Sequence, residues 1–419
     1  MASHGVARTN RSRTEEQRQQ ELEKIQKYRD LEDQVRSHVA RKDHTHELFQ
    51  LTTKLLRLNP EYYTIWNVRR QHLLISGLSC KPSAGSSPST ALQSSSQTAT
   101  TTTSSAESSS SSSTATQQNP ESQTTGRNGT TADNVAEPKP AGEDASAVDE
   151  KAKAQKNDLD VLKSELGFTV PLLMEFPKCY WIWKYRSWLL QQAIERLDPA
   201  IARRIWEEEL GLDTKMLTKD RRNFHAWGYR RNVVKHLESV ALNGKSMVEA
   251  EFEFTTKMIR VDLSNFSAWH NRSKLIPRLL DERGADEIAR KKFFDQEGLN
   301  VGPDDQSLWY YHQFLILDLI EYAKRPTITA SLSVEERVSY VKREIVDIKD
   351  LLEDYDDSKL IYEALIEYTL ALSALEKRKP SEEGLVDDLR DWLSQLKQLD
   401  PMRKGRWNDM EKDLAVLAG

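Results

Sequence analysis

Few side chains in this 419-residue sequence stand together in a way that could do chemistry unaided. His44 and His46 bring two imidazoles close, but no convincing third ligand stands nearby, so the pair reads as solvated turn histidines and not as a zinc site. Cys80 and Cys179 are the only cysteines, too few for a thiolate metal site or a disulfide framework, and such usage suits a reducing compartment. Two short segments, Pro177-Lys178-Cys179-Tyr180 and Asn223-Phe224-His225, carry groups that can hold charge or donate hydrogen bonds. Taken alone, Lys178 is a turn lysine and Tyr180 an aromatic packing residue, while His225 suits a helix start as well as a site. What these groups can do depends on the elements that position them.

Those elements repeat. Trp66, Trp183, Trp227, Trp269 and Trp309 recur, the last four at intervals of 44, 42 and 40 residues. The longer gap between Trp66 and Trp183 returns to one period once a tract of about 70–75 residues is set aside. Six residues before each tryptophan stands Pro60, Pro177, Arg221, Leu263 or Pro303, and three before it Tyr63, Tyr180, Phe224, Phe266 or Gln306. Three residues after it comes Arg69, Arg186, Arg230, Arg272 or His312, and seven after it Leu73, Leu190, Val234, Ile276 or Ile316. Offsets of 0, +3 and +7 share one helix face, so each unit has a helix with a Trp–Arg–aliphatic stripe, and the prolines are expected at its first turn. Another amphipathic helix precedes it, as Leu48, Leu51, Leu55 and Leu58 show. Hairpins of this period predict an all-α fold, an α-solenoid or α-α superhelix of about five to six helical hairpins. A degenerate sixth unit is expected with Leu360 at the anchor and Glu367 at the aliphatic position.

The expected organisation is an N-terminal tail and charged helix (1–42), a first repeat (43–78), a disordered Ser/Thr-rich insertion (79–157), repeats two to five (158–325) and a degenerate repeat with terminal helices (326–419). The insertion includes serine uninterrupted from Ser108 to Ser113, and such composition cannot bury enough apolar surface to offset its ordering entropy. Thr14-Glu15-Glu16-Gln17 has capping-box spacing and opens the charged helix. A net charge of −5 provides no global basic field, which argues against nucleic acid as a partner. The segment from Met1 to Arg13 has no apolar leader core, and no apolar run is long enough to span a bilayer, so a cytoplasmic chain without membrane insertion is expected.

Asn59-Pro60-Glu61-Tyr62-Tyr63-Thr64-Ile65-Trp66-Asn67-Val68-Arg69, Pro177-Lys178-Cys179-Tyr180-Trp181-Ile182-Trp183-Lys184-Tyr185-Arg186, Asn223-Phe224-His225-Ala226-Trp227-Gly228-Tyr229-Arg230 and Asn265-Phe266-Ser267-Ala268-Trp269-His270-Asn271-Arg272 resemble the repeats of protein prenyltransferase α subunits. The resemblance covers nearly all of the chain outside the insertion. The short His4-Gly5 start and the terminal Leu399-Asp400-Pro401-Met402-Arg403 are similar to the Rab geranylgeranyltransferase (type II) branch, in a compact version without immunoglobulin-like or leucine-rich-repeat domains.

That resemblance implies a subunit inactive alone, which pairs with a β subunit carrying the zinc and the isoprenoid tunnel and receives Rab GTPases from an escort protein. It implies that Lys178 and Tyr180 approach the diphosphate of geranylgeranyl diphosphate, with Asn223 and His225 close by. Phe224 stands where the family has tyrosine and lacks its hydroxyl. His4 could reach the partner's zinc as an autoinhibitory ligand. The anchors Trp66, Trp183, Trp227, Trp269 and Trp309 and the arginines Arg69, Arg186, Arg230 and Arg272 are read as structural, a buried indole with a guanidinium held on a carboxylate or carbonyl. Two other readings stand beside this one: the α subunit shared by farnesyltransferase and type I geranylgeranyltransferase, and a non-catalytic helical scaffold. The chain ends argue against the first, and a period longer than the 34 residues of tetratricopeptide units against the second.

Overall fold

The computed structural model describes residues 14–79, 145–297, 302–321, 327–378 and 385–418, and every regular element among them is helical. Helix α1 (Glu15–Ala40) opens on the expected capping box: the Thr14 hydroxyl accepts from the Gln17 amide, and the Gln17 side chain accepts from the Thr14 amide. Five hairpins follow, α2 (His46–Leu58) with α3 (Tyr63–His72), α4 (Ala145–Glu175) with α5 (Tyr180–Arg196), α6 (Pro199–Lys219) with α7 (Phe224–Leu237), α8 (Val248–Val261) with α9 (Phe266–Glu282), and α12 (Val334–Leu351) with α13 (Lys359–Glu376), and α10 (Glu287–Glu297) and α11 (Gln306–Ile320) stand between the last two in chain order. A terminal pair, α14 (Leu385–Leu399) and α15 (Lys404–Ala418), buries Trp392 and Trp407 and closes the stack. Second helices pack on second helices, α3 on α5, α5 on α7, α9 on α11 and α11 on α13, so each hairpin buries its apolar face against its neighbours. No helix among the described residues is long and apolar enough to cross a membrane.

The prolines do not begin the second helices. They lie in the turn before them, and the helices start at Tyr63, Tyr180, Phe224, Phe266 and Gln306. What position −6 contributes is a carbonyl. The indole N–H of Trp66, Trp183, Trp227, Trp269 and Trp309 donates to the oxygen of Pro60, Pro177, Arg221, Leu263 and Pro303 at 2.8, 2.9, 2.7, 2.7 and 3.0 Å respectively. Proline suits the place because the turn uses its fixed φ and its oxygen and has no need of an N–H. The same oxygens tie successive repeats together. Asn223 Nδ2 donates to Pro177 O at 3.1 Å, Asn265 Nδ2 to Arg221 O at 3.0 Å, and Ser358 Oγ to Pro303 O at 2.8 Å.

This geometry corrects the sixth repeat. Its anchor is Tyr362, not Leu360: the Tyr362 hydroxyl donates to Asp356 O, six residues back, at 2.9 Å, replacing the indole N–H. Glu367 accordingly does not occupy the aliphatic position, which falls on buried Thr369.

Three of the four anchor arginines are buried on a carboxylate of the next hairpin. Arg69 meets Glu165 through Nε and Nη2 at 2.6 and 2.7 Å, Arg186 meets Glu209 at 2.7 and 2.6 Å, and Arg230 meets Glu251 at 2.9 and 2.7 Å. The Tyr185 and Tyr229 hydroxyls donate to the same Glu165 and Glu209 at 2.7 and 2.8 Å, and burial foremost, then the carboxylate, pushes both phenols well above their usual range. Arg272 donates to Thr256 Oγ1 at 2.7 Å. His312 replaces arginine in the fifth repeat, lying between Glu344 at 3.2 Å and the Tyr368 hydroxyl at 3.0 Å, and burial lowers its pKa.

The insertion is shorter than its composition suggests, because residues 145–157 belong to α4. That stretch is rich in Ala and Lys, which form helix readily although they carry little apolar signal. Its junction is held: Asp158 accepts from the Ser79 amide at 2.6 Å, and Asn157 Nδ2 donates to Gly77 O at 3.1 Å.

Candidate functional site

The residues singled out by the resemblance sit where the second helices begin. Lys178 is exposed in the turn between α4 and α5, flanked by Pro177 and by buried Cys179. Burial pushes the Cys179 thiol up to about 11, so it stays uncharged, with its S–H on Pro60 O at 3.4 Å. Helix α5 therefore starts without a side-chain cap hydrogen bond, which leaves its first N–H groups and the positive end of its dipole beside the Lys178 turn.

Asn223 is buried and fully engaged. Its oxygen accepts from the His225 and Ala226 amides at 3.0 and 3.2 Å, capping α7, while its Nδ2 holds the Pro177 carbonyl. It contacts no open surface that a diphosphate could share; its part is to fix the turn that carries Lys178. Tyr180 opens α5 with its ring exposed, 6.3 Å from the His225 ring. Packing alone does not explain it. The aromatic residues at −3 form an exposed row, Phe224 the most open at 74 %, with Tyr63 against Trp181 at 4.4 Å and Phe266 against Tyr310 at 5.8 Å.

Sequence reasoning missed the cations on the same face. Offsets +1 and +4 from the anchors hold Lys184, Arg70 and Arg231, with His270, whose pKa burial lowers, beside them, and neither Asp nor Glu occurs at −3, +1 or +4 in the first five repeats. Lys184 Nζ lies 5.5 Å from the centre of the Tyr180 ring. Burial lowers the pKa of Arg70 and Arg231, which marks them as guanidiniums drawn partly out of water. Reading those offsets across the repeats, as was done for the tryptophans, would have found them.

Among the described residues no three His, Cys, Asp or Glu side chains converge as a metal requires. His46 Nε2 lies 2.9 Å from Gln50 Nε2, and His44 stands in the turn before α2. His4 and Cys80 lie outside the described residues. The site is thus an exposed cationic and aromatic edge on a helical repeat scaffold, suited to an anion or a partner protein.

The model of the protein prenyltransferase alpha subunit repeat matches residues 45–71, 162–193, 206–237 and 248–279, which end on or span the hairpins built around Trp66, Trp183, Trp227 and Trp269. The chain belongs to the protein prenyltransferase α-subunit family. A solved structure, Candida albicans protein geranylgeranyltransferase-I complexed with GGPP, shares the fold with a TM-score of 0.51 over 93 % of this chain and 91 % of that one, at 16 % identity. In sequence the similarity is to geranylgeranyl transferase type-2 subunit alpha: 29 % identity with that of Schizosaccharomyces pombe over 98 % of both chains, and 26 % with that of Candida albicans over 97 % of this chain and 96 % of the other. Similarity over nearly the full length of these type-2 α subunits favours that reading over a type I or farnesyltransferase α subunit.

Proposed function

We propose that this chain supplies positive charge and hydrogen-bond donors to the isoprenoid diphosphate in a type-2 geranylgeranyl transferase, and that a β subunit supplies the zinc and the isoprenoid tunnel. Rab GTPases, presented by an escort protein, bring the acceptor cysteines. In the reaction the cysteine sulfur forms a bond to the allylic carbon as the C–O bond to diphosphate breaks, and the electron pair leaves on the diphosphate. Charge builds up there in the transition state, so an ammonium beside it lowers the barrier instead of only tightening binding. Zinc on the partner would hold the attacking thiolate. The chain alone is inactive in this division of labour.

The observation that carries the reading is the Lys178 turn: an exposed lysine at the uncapped start of α5, fastened through Pro177 O to Asn223, with Tyr180 and Lys184 beside it. The test is single-turnover prenyl transfer in the reconstituted complex with saturating Rab and escort protein. Lys178→Ala is expected to slow transfer by about ten- to a thousandfold, roughly 1.4–4 kcal/mol, with heterodimer assembly unchanged. A rate within about twofold of wild type would make Lys178 a solvated turn residue.

A further inference from the structure

Fourteen residues before the anchor, the first four repeats hold Thr52, Thr169, Asp213 and Thr255, all buried. The three threonine hydroxyls do the same thing: each donates to the carbonyl three residues back, Thr52 to Phe49 O at 2.7 Å, Thr169 to Leu166 O at 2.9 Å and Thr255 to Phe252 O at 2.7 Å. In the first and fourth repeats that carbonyl also accepts from the next threonine, Thr53 at 3.2 Å or Thr256 at 3.0 Å. In the third repeat the matching carbonyl is that of Leu210, and it accepts from Thr214 at 2.9 Å. The position that supplies the threonine donor in the sibling repeats is here Asp213, and an ionised carboxylate has no proton to give.

The surroundings do not favour a charge there. Asp213 is 1 % exposed and neither of its oxygens has a hydrogen bond. On its own helix it faces Glu209, which is bound to Arg186 of α5 and Tyr229 of α7; from α7 it faces Arg230, and from α8 Glu251, which is bound to Arg230. Arg230 Nη1 approaches Asp213 only to 3.6 Å. Two guanidiniums thus stand among three buried carboxylates, and both are already committed bidentately to the glutamates. A third negative charge would have to share Arg230 with Glu251, and burying one without a counterion of its own is costly.

We propose that Asp213 is a proton-binding site, a neutral carboxylic acid at neutral pH whose O–H serves as the donor that threonine supplies in the sibling repeats. Burial pushes its pKa up to about 8, with Glu209 and Glu251 adding to the effect and Arg230 opposing it. An unfolded aspartate releases its proton near pH 4, so between about pH 4 and 8 the folded chain holds one proton more than the unfolded chain. The stability this site contributes is complete below about pH 4 and is lost as pH rises from there to the folded pKa, by about tenfold in the unfolding constant per pH unit.

The test uses the full chain in its complex. Difference infrared spectra of wild type against Asp213→Asn, taken at pH 6.5 and 9.5, should show the carbonyl stretch of a protonated carboxyl group at the lower pH only. Asp213→Thr, which copies the sibling repeats, should raise the thermal midpoint more at pH 9 than at pH 6. A carboxylate signature at pH 6.5, or a Thr variant whose gain is the same at both pH values, overturns the proposal. The Thr variant keeps the test decisive if the Asn variant fails to fold.

Discussion

Removing the Glu209 carboxylate should break the stack between the second and third hairpins. Glu209 is buried and accepts three hydrogen bonds, from Arg186 Nε and Nη2 at 2.7 and 2.6 Å and from the Tyr229 hydroxyl at 2.8 Å. In Glu209→Ala the guanidinium keeps only its Nη1 partners, Leu166 O at 2.7 Å and Thr169, and the phenol has lost its acceptor. Truncating one member of a buried ion pair costs about 3–5 kcal/mol, because the other charge remains buried and uncompensated. The orphaned hydroxyl alone would cost about 1–3 kcal/mol, but the two losses share one carboxylate and do not add fully. A total near ~4 kcal/mol is a large part of the ~5–15 kcal/mol that holds a typical fold. At roughly 2–4 °C per kcal/mol, the thermal midpoint of the complex should fall by about 8–16 °C. Hydrogen exchange should quicken first in α5, α6 and α7, since each hairpin is supported only by its neighbours. Replacing both partners, Arg186→Met with Glu209→Met, should recover most of the loss, because no unpaired charge remains. A midpoint within about 2 °C of wild type for Glu209→Ala would refute the view that these pairs hold the repeats together.

Two further outcomes are expected. Asn223→Ala removes both the α7 cap and the tie to Pro177 O, so it should lower stability by about 1–2 kcal/mol and also slow transfer, since the Lys178 turn loses its brace; adding Lys178→Ala should then slow transfer little further, and fully additive rate losses in that double variant would separate the two residues. Excising 80–144 and rejoining the ends through a short Gly/Ser linker should leave the thermal midpoint within about 2 °C, because loop closure depends only weakly on length and Ser79 and Gly77 remain fastened to Asp158 and Asn157; a much larger fall in the calorimetric midpoint would show that the excised tract packs.

The tryptophan period and the Arg stripe were legible because they obey fixed offsets, and the offsets follow from helix geometry. Glu165, Glu209 and Glu251 obey one too, each standing eighteen residues before its own anchor, and Glu344 keeps the same distance from Tyr362. Their meaning was hidden because each serves the arginine or histidine of the preceding repeat, across a fold-dependent interface. The sixth repeat was misread by two residues because leucine is a better apolar match to tryptophan than tyrosine is. What the position requires is a donor that reaches a carbonyl six residues back, and Tyr362 has one where Leu360 does not.

The sequence by itself determined the all-α hairpin repeat and its period, since fixed helical offsets display both, and its repeat motifs carried the resemblance to the family. Tertiary structure decided which recurring residues face solvent and which are enclosed. Tyr180 and Asn223 both stand at helix starts, yet one is exposed and the other buried with every polar atom engaged. The difference lies in the neighbouring turn: a side chain at −4 meets the carbonyl of the preceding repeat, whereas one at −3 points past the edge of the stack, and only the packed chain brings that carbonyl within reach.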